Sequence, residues 1–382
     1  MPYLKYVLAV LAMYFAFTLP VAASGLPQGA ARPVKVIFDT DMYGDIDDAL
    51  ALAMLHTLQD RGEAELLAVT ISTETAWAAP YVDLINTFYG HPTIPIGITH
   101  GGVTEAALKN SRYGRYLPSP GGVNYTQYVA GLKHSDGSDV FPHRHADSLR
   151  PEDAVALIRK TLYQQSDGSV VIIGVGYNSN LAHLLESGPD AEIPLDGRSL
   201  VARKVKFLSA MAGNFMAIER GGVTYPAGSP EFNLEMDVAA AQRVFTQWPT
   251  PIVFSGSEIG ARMRITQASV DRYFNYVARH PVAETYRYAA SFYNSIVGRK
   301  SGGHDHPTYD LTSVLYAVRP DAAYFTLSGP GIVSAYEGGR SSFTTDAQGR
   351  HRFLLLSETQ QARALEAMTL LVTEPPENPC KN

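Results

Sequence analysis

The sequence predicts an α/β fold: a mostly parallel, Rossmann-like sheet flanked by helices, with extra strands near the C-terminus. Three observations carry this. Apolar runs of strand length alternate with runs whose apolar residues recur at helical spacing. The strand-like runs are apolar throughout, and a parallel sheet covered by helices on both sides buries such strands. Near the C-terminus, Gly-rich turns join further strand-like runs.

The elements follow in order. "VKVIFD" reads as a buried strand, and "DDALALAMLHTLQD" as a helix with acids in its first turn. "AELLAVTIS" is a second strand. "APYVDLINTFYG" is a second helix, with Pro80 in its first turn and Gly90 as its stop. "IPIGIT" is a short third strand. The stretch from His100 to Leu149, rich in Gly, Pro, His, Ser and Tyr, reads as an excursion. "PEDAVALIRKTLYQQ" starts a helix with Pro151 near its first position. "SVVIIGVG" is a very apolar strand, and "SNLAHLLES" the helix after it. "KVKFLSAMAG" and "PIVFSGSEIG" are strands around the helix "VAAAQRVFTQW". "LTSVLYAV" looks helical; "AYFTLSGPG", "IVSAYEGG" and "RHRFLLL" look like strands. No linker and no internal repeat interrupts the chain, so one domain over residues 25–382 is expected.

Residues 1–24 differ. One Lys, an apolar stretch, Pro20 and then small residues form the layout of a secretory signal peptide cut at Ala23 or Ser24. Its apolar run is shorter than the roughly 20 residues of a spanning helix, so the expected location is periplasmic or secreted, with no membrane attachment after cleavage. Removing Lys5 takes the net charge from −6 to −7. An acidic chain without a basic stripe argues against nucleic-acid binding. Cys380 stands alone in a polar tail, so no disulfide framework supports the fold. Composition leaves self-association open.

The chemistry concentrates in "VKVIFDTDMYGDIDDALALAML". Asp39, Asp41, Asp45, Asp47 and Asp48 fall within ten residues, between the first strand and the first helix. Like charges this close repel, and their burial is costly unless a cation sits among them. In a parallel sheet, ligands bind at the carboxyl ends of the strands, where these aspartates lie. "DTDMYGD" begins like an EF-hand loop, but Tyr43 and Leu50 occupy ligand positions and a strand precedes it. The D-x-D also fits a haloacid-dehalogenase phosphatase, except that Tyr43 and Gly44 follow Met42. Solvated helix-capping acids account for one or two aspartates and not for five.

"DTDMYGDIDDALAL" resembles the N-terminal motif of the inosine-uridine-preferring nucleoside hydrolase family. "VGYNSNLAHLL", "PEFNLEMDVAAA" and "YDLTSVLYAV" are similar to three later motifs of that family, in its order. The resemblance implies one calcium ion held by Asp41, Asp48, the carbonyl of Ser179 and Asp310. Asp41 would be the general base, Asp47 would hold a ribose hydroxyl, and Glu231 and Asn233 would hold hydroxyls on the opposite wall. The bland reading of Glu231 and Asn233 is a helix cap. The expected activity is hydrolysis of the N-ribosidic bond of a small-molecule nucleoside or riboside. The alternative is a calcium-containing nucleoside- or sugar-binding protein without turnover. His304 and His306 are candidates for the acid that protonates the leaving base, because an imidazole titrates near neutrality; Gly302 and Gly303 suggest that their segment moves.

The chain also departs from the family pattern. Tyr43 takes the place of the usual Gly, with Gly44 one position later. Gly222 stands where an Asn contacts the ribose, and Tyr309 where purine-active members carry His. After the second strand, Thr73, Glu74 and Thr75 compete for the place of an Asn.

Overall fold

The computed structural model describes residues 32–114, 117, 122–145, 147–220, 222–296 and 304–377. The expected signal peptide, Gly302, Gly303 and Cys380 lie outside them.

The strands are β1 (Val34–Thr40), β2 (Ala64–Glu74), β3 (Ile96–Thr104), β4 (Glu152–Asp153), β5 (Val170–Gly174), β6 (Val205–Met211), β7 (Ile218–Arg220) and β8 (Val223–Tyr225). Then come β9 (Ile252–Ser255), β10 (Arg264–Ile265), β11 (His306–Pro307), β12 (Thr326–Leu327), β13 (Gly331–Tyr336), β14 (Arg340–Thr345) and β15 (His351–Leu355). The main sheet runs β14-β13-β15-β9-β6-β5-β1-β2-β3-β4, with β12 paired to β15. Every pairing from β15 through to β4 is parallel. The β12, β13 and β14 pairings are antiparallel. The expected α/β architecture with added C-terminal strands is therefore what the chain adopts.

Helix α1 (Asp47–Asp60) is buried from Asp47 to Leu58. It lacks a polar face because helices cover it on the side away from the sheet. Helix α2 (Ala78–Phe88) is followed by Gly90 at φ 82°, the left-handed stop expected of it. The excursion holds two short helices, α3 (Glu105–Asn110) and α4 (Tyr125–Ala130), capped by Thr104 and Asn124. Helix α5 (Ala154–Tyr163) starts later than Pro151 suggests, because Asp153 caps it by accepting from the Ala156 amide at 2.8 Å. The chain continues through α6 (Ser179–Glu186), α7 (Phe232–Met236), α8 (Val238–Gln247), α9 (Pro281–Ile296), α10 (Asp310–Val318) and α11 (Glu358–Thr373). No helix of the described residues is long and apolar enough to cross a membrane.

Candidate active site

From β1 the chain moves through β2, β3 and β4 in one direction, then resumes at β5 on β1's other side. The crevice at the carboxyl ends of β1 and β5 is thus the topological switch point, where ligands settle in open α/β sheets. A cavity of about 470 Å³ opens there, lined by Asp41 and Asp45 after β1, Val175 after β5 and Met211 at the end of β6.

Its floor is acidic. Asp47, Asp48 and Asp310 each bring one carboxylate oxygen within 4.8 Å of the others, and all three are buried. Helices α1 and α10 both begin at this cluster, so their positive ends face it. Asp47 joins them, since its Oδ2 accepts from the amides of Tyr309 at 2.7 Å and Asp310 at 3.2 Å. Asp48 accepts from the Thr40 hydroxyl. Asp41 is also buried and borders the cluster without being one of those three. Asp39 is not among the lining residues and accepts from Thr70 and Asn180 at 2.6 and 2.7 Å.

Burial, followed by mutual repulsion, shifts these acids. Desolvation raises Asp41 to about 8, with the Tyr177 hydroxyl opposing and the Asp47 charge adding to the shift. Desolvation and then Asp45 raise Asp47 to about 7. Asp48 and Asp310 are held well above the ordinary carboxylate range by burial and by their acidic neighbours. A cation reverses this balance. The donors are all oxygen, with no His or Cys in the Asp47–Asp48–Asp310 cluster, which suits a hard ion such as calcium.

The loop above the floor is strained. Tyr43 has φ 131°, a conformation proper to glycine, in the place where the sequence substitutes Tyr for Gly. Its amide donates to the Tyr125 hydroxyl at 3.0 Å, and its carbonyl accepts from Asn124 Nδ2 at 2.9 Å. The Tyr125 hydroxyl in turn donates to the Asp45 carbonyl at 2.8 Å. From β2 the Ser72 hydroxyl donates to the Thr40 carbonyl and the Thr73 hydroxyl to the Asp41 carbonyl, each at 3.1 Å.

Glu231 and Asn233 also line the cavity. Glu231 caps α7, accepting from the amides of Asn233 at 2.8 Å, Leu234 at 3.1 Å and Gly213 at 3.3 Å, so its capping role and its place in the cavity coexist. Asn233 Nδ2 donates to the Val175 carbonyl at 2.7 Å. Ser179 is buried at the first position of α6 and is not among the residues lining the cavity, which include Val175 after β5. Gly222 is an exposed turn residue between β7 and β8, away from the cavity.

Elsewhere on the lining, His306 Nε2 and Asp45 Oδ1 are 2.6 Å apart, and His304 Nε2 lies 3.1 Å from His306 Nδ1. The Tyr293 hydroxyl donates to Asp45 Oδ1 at 3.2 Å, and its ring stacks on both imidazoles. Burial works against a charged His306, yet Asp45 holds its imidazole above the usual value. Burial, then the His306 charge, lowers His304 to about 4. The two histidines are therefore unequal: Asp45 favours the proton on His306, while burial disfavours it on His304. Asp45, Tyr293 and Val175 join the site only in the folded chain: in the sequence Asp45 is one acid among five, and Tyr293 lies on α9, far from the aspartates.

The family model for "Inosine-uridine preferring nucleoside hydrolase" matches residues 36–368. The chain belongs to this family. A plant nucleoside hydrolase structure is 18% identical, with a TM-score of 0.63, over 90% of this chain and 100% of that one. A purine-preferring ribonucleoside hydrolase from Gardnerella vaginalis is 17% identical, with a TM-score of 0.62, over 89% and 99%. An inosine-uridine preferring nucleoside hydrolase from Bacillus anthracis is 20% identical, with a TM-score of 0.58, over 89% and 99%. No curated protein sequence matches the chain. At this identity the likeness is one of fold. The nucleoside hydrolase family match spans Asp41, Asp47, Asp48, Glu231, Asn233 and Asp310.

Proposed function

We propose that this family member is an exported, calcium-dependent hydrolase of the N-ribosidic bond of nucleosides or related ribosides, releasing base and ribose. The observation that supports it most is the convergence of Asp47, Asp48 and Asp310, with Asp41 beside them, on the floor of a cavity at the sheet's switch point. Asp41, Asp48 and Asp310 would hold the ion. When bound, the ion supplies positive charge that orients a water and the vicinal ribose hydroxyls.

The chain's own residues do the rest. Asp41 is the base that takes a proton from the water, placed by the hold of Thr73 and Gly44 on its carbonyl at 3.1 Å each. Asp47 has Oδ2 committed to α10, which leaves Oδ1 for a ribose hydroxyl. Glu231 and Asn233 hold further hydroxyls of the sugar. As the glycosidic bond breaks, the ribosyl ring gains positive charge, and the acidic floor stabilises it. His306, with Nε2 at Asp45 and Nδ1 at His304 Nε2, supplies the proton that reaches the departing base through His304.

The test is release of reducing sugar from a panel of ribosides, with chelator-treated and calcium-loaded protein. Turnover that needs the ion and is lost in Asp41→Asn supports the reading. Tight riboside binding with no turnover on any of the panel overturns it in favour of a binding protein.

A further inference from the structure

The cavity is acidic on almost every side: Asp41, Asp45, Asp47, Asp48, Glu231 and Asp310 line it. Among the described lining residues Arg264 is the single Arg or Lys. It is exposed at the mouth, and no carboxylate among the described residues lies within ion-pairing distance of it. Its Nη1 donates to the Asp305 carbonyl at 2.8 Å, which leaves Nε and Nη2 without a protein partner among the described residues.

Its position is fixed. Arg264 lies on β10, opposite Pro307 of β11, and the next residue, Ile265, lies opposite His306. The Tyr286 hydroxyl sits 2.6 Å from the Ile265 carbonyl and accepts from the His306 amide at 3.0 Å, tying the two strands together. The Arg264 charge is felt by His304 and His306, lowering both. The histidine charge has its counter-ion in Asp45, whereas the guanidinium does not. A planar guanidinium with two open donors matches a carboxylate. An acidic cavity does not otherwise favour anions, so an anion entering here must meet its charge at Arg264.

We propose that this cavity prefers ribosides whose heterocyclic leaving group carries a carboxylate, bound by Arg264. The proposal rests on the hydrolase reading for the seat of the ribose: with the sugar over the acidic floor, the base extends towards His304, His306 and Arg264. It adds a substrate class and a specificity-determining residue to that reading.

The experiment compares matched ribosides: the pyridine-3-carboxylate against its carboxamide, and the pyrimidine-6-carboxylate against the unsubstituted pyrimidine. The expected result is a kcat/KM preference for the carboxylate of roughly tenfold or more in the wild-type enzyme, the scale of a hydrogen bond to a charged group. Arg264→Gln should collapse that ratio, and Arg264→Lys should restore part of it. No preference in the wild type, or an undiminished ratio in Arg264→Gln, overturns the proposal. Turnover of none of the four ribosides would count against the hydrolase reading instead. The anion site is then read by titrating free pyridine-3-carboxylate and its carboxamide into calcium-loaded wild type and Arg264→Gln. A carboxylate preference lost in the variant supports the proposal, and equal binding by both proteins overturns it.

Discussion

Asp45 Oδ1 and His306 Nε2 meet at 2.6 Å, joining the loop after the first strand to a short strand near the end of the fold. This pair favours the proton on His306. His306→Ala should lower turnover of ordinary nucleosides by about 10²-fold or more, and much less on a nitrophenyl riboside, whose leaving group needs no proton. Asp45→Asn should bring the His306 pKa down, so the rate falls away at a lower pH than in the wild type. A pH–rate profile whose basic limb does not move would remove His306 as the source of the proton.

Asp41→Asn should leave the fold intact and lower kcat by roughly 10²- to 10⁴-fold, the range for loss of a general base. Circular dichroism and the melting temperature of the calcium-loaded variant check the first part, and steady-state kinetics the second. Near wild-type kcat would assign the base to another group.

Asp48→Asn and Asp310→Asn should each weaken ion binding while leaving the unloaded fold standing, because each removes a ligand and also relieves repulsion on the floor. Terbium luminescence or calorimetric titration reads the affinity. Unchanged affinity in Asp310→Asn would place the ion elsewhere.

The metal-free protein should also respond to pH in a particular way. Asp41 and Asp47 have folded pKa values of about 8 and 7, above the ordinary 3.8. A raised carboxyl contributes stability below its unfolded pKa, and that stability is lost as pH rises through the folded value. Calcium takes the place of those protons. The gain in melting temperature on adding calcium should therefore be larger at about pH 8.5 than at about pH 5. An equal gain at both values would contradict the assigned ligand set. Buried His56, lowered to about 3 chiefly by desolvation, acts in the opposite direction and is common to both arms.

Tyr125→Phe should destabilise the protein by about 1–3 kcal/mol, because the Tyr43 amide is then left buried without an acceptor. Chemical denaturation measures it. A change within a few tenths of a kcal/mol would mean that the loop finds another hold.

Much of this was legible in the chain. Val36, Ile37 and Phe38 form an apolar strand, Asp47 and Asp48 open the next helix, and the acids fall where a parallel sheet puts its ligands. Other features depend on contacts between distant residues. Val175 lines the cavity from the loop between β5 and α6, whose start at Ser179 is a boundary that apolar spacing does not fix. Arg264 and Tyr293 reach the site only through tertiary packing. Helix α11 could have been found: Ser357 and Gln360 form a capping box, and Ala364, Met368 and Leu371 share a buried face.

Tyr43 has a consequence for how far the protein can be simplified. Its unfavourable backbone is held by Asn124 and Tyr125, which belong to the segment read from sequence as an excursion. That segment is not dispensable decoration. A chain trimmed of it would retain every carboxylate of the floor, yet the turn that aims Asp41 and frees Asp45 to reach His306 would relax. Conversely, grafting the aspartate-rich turn onto a smaller scaffold would require Asn124 and Tyr125 to travel with it.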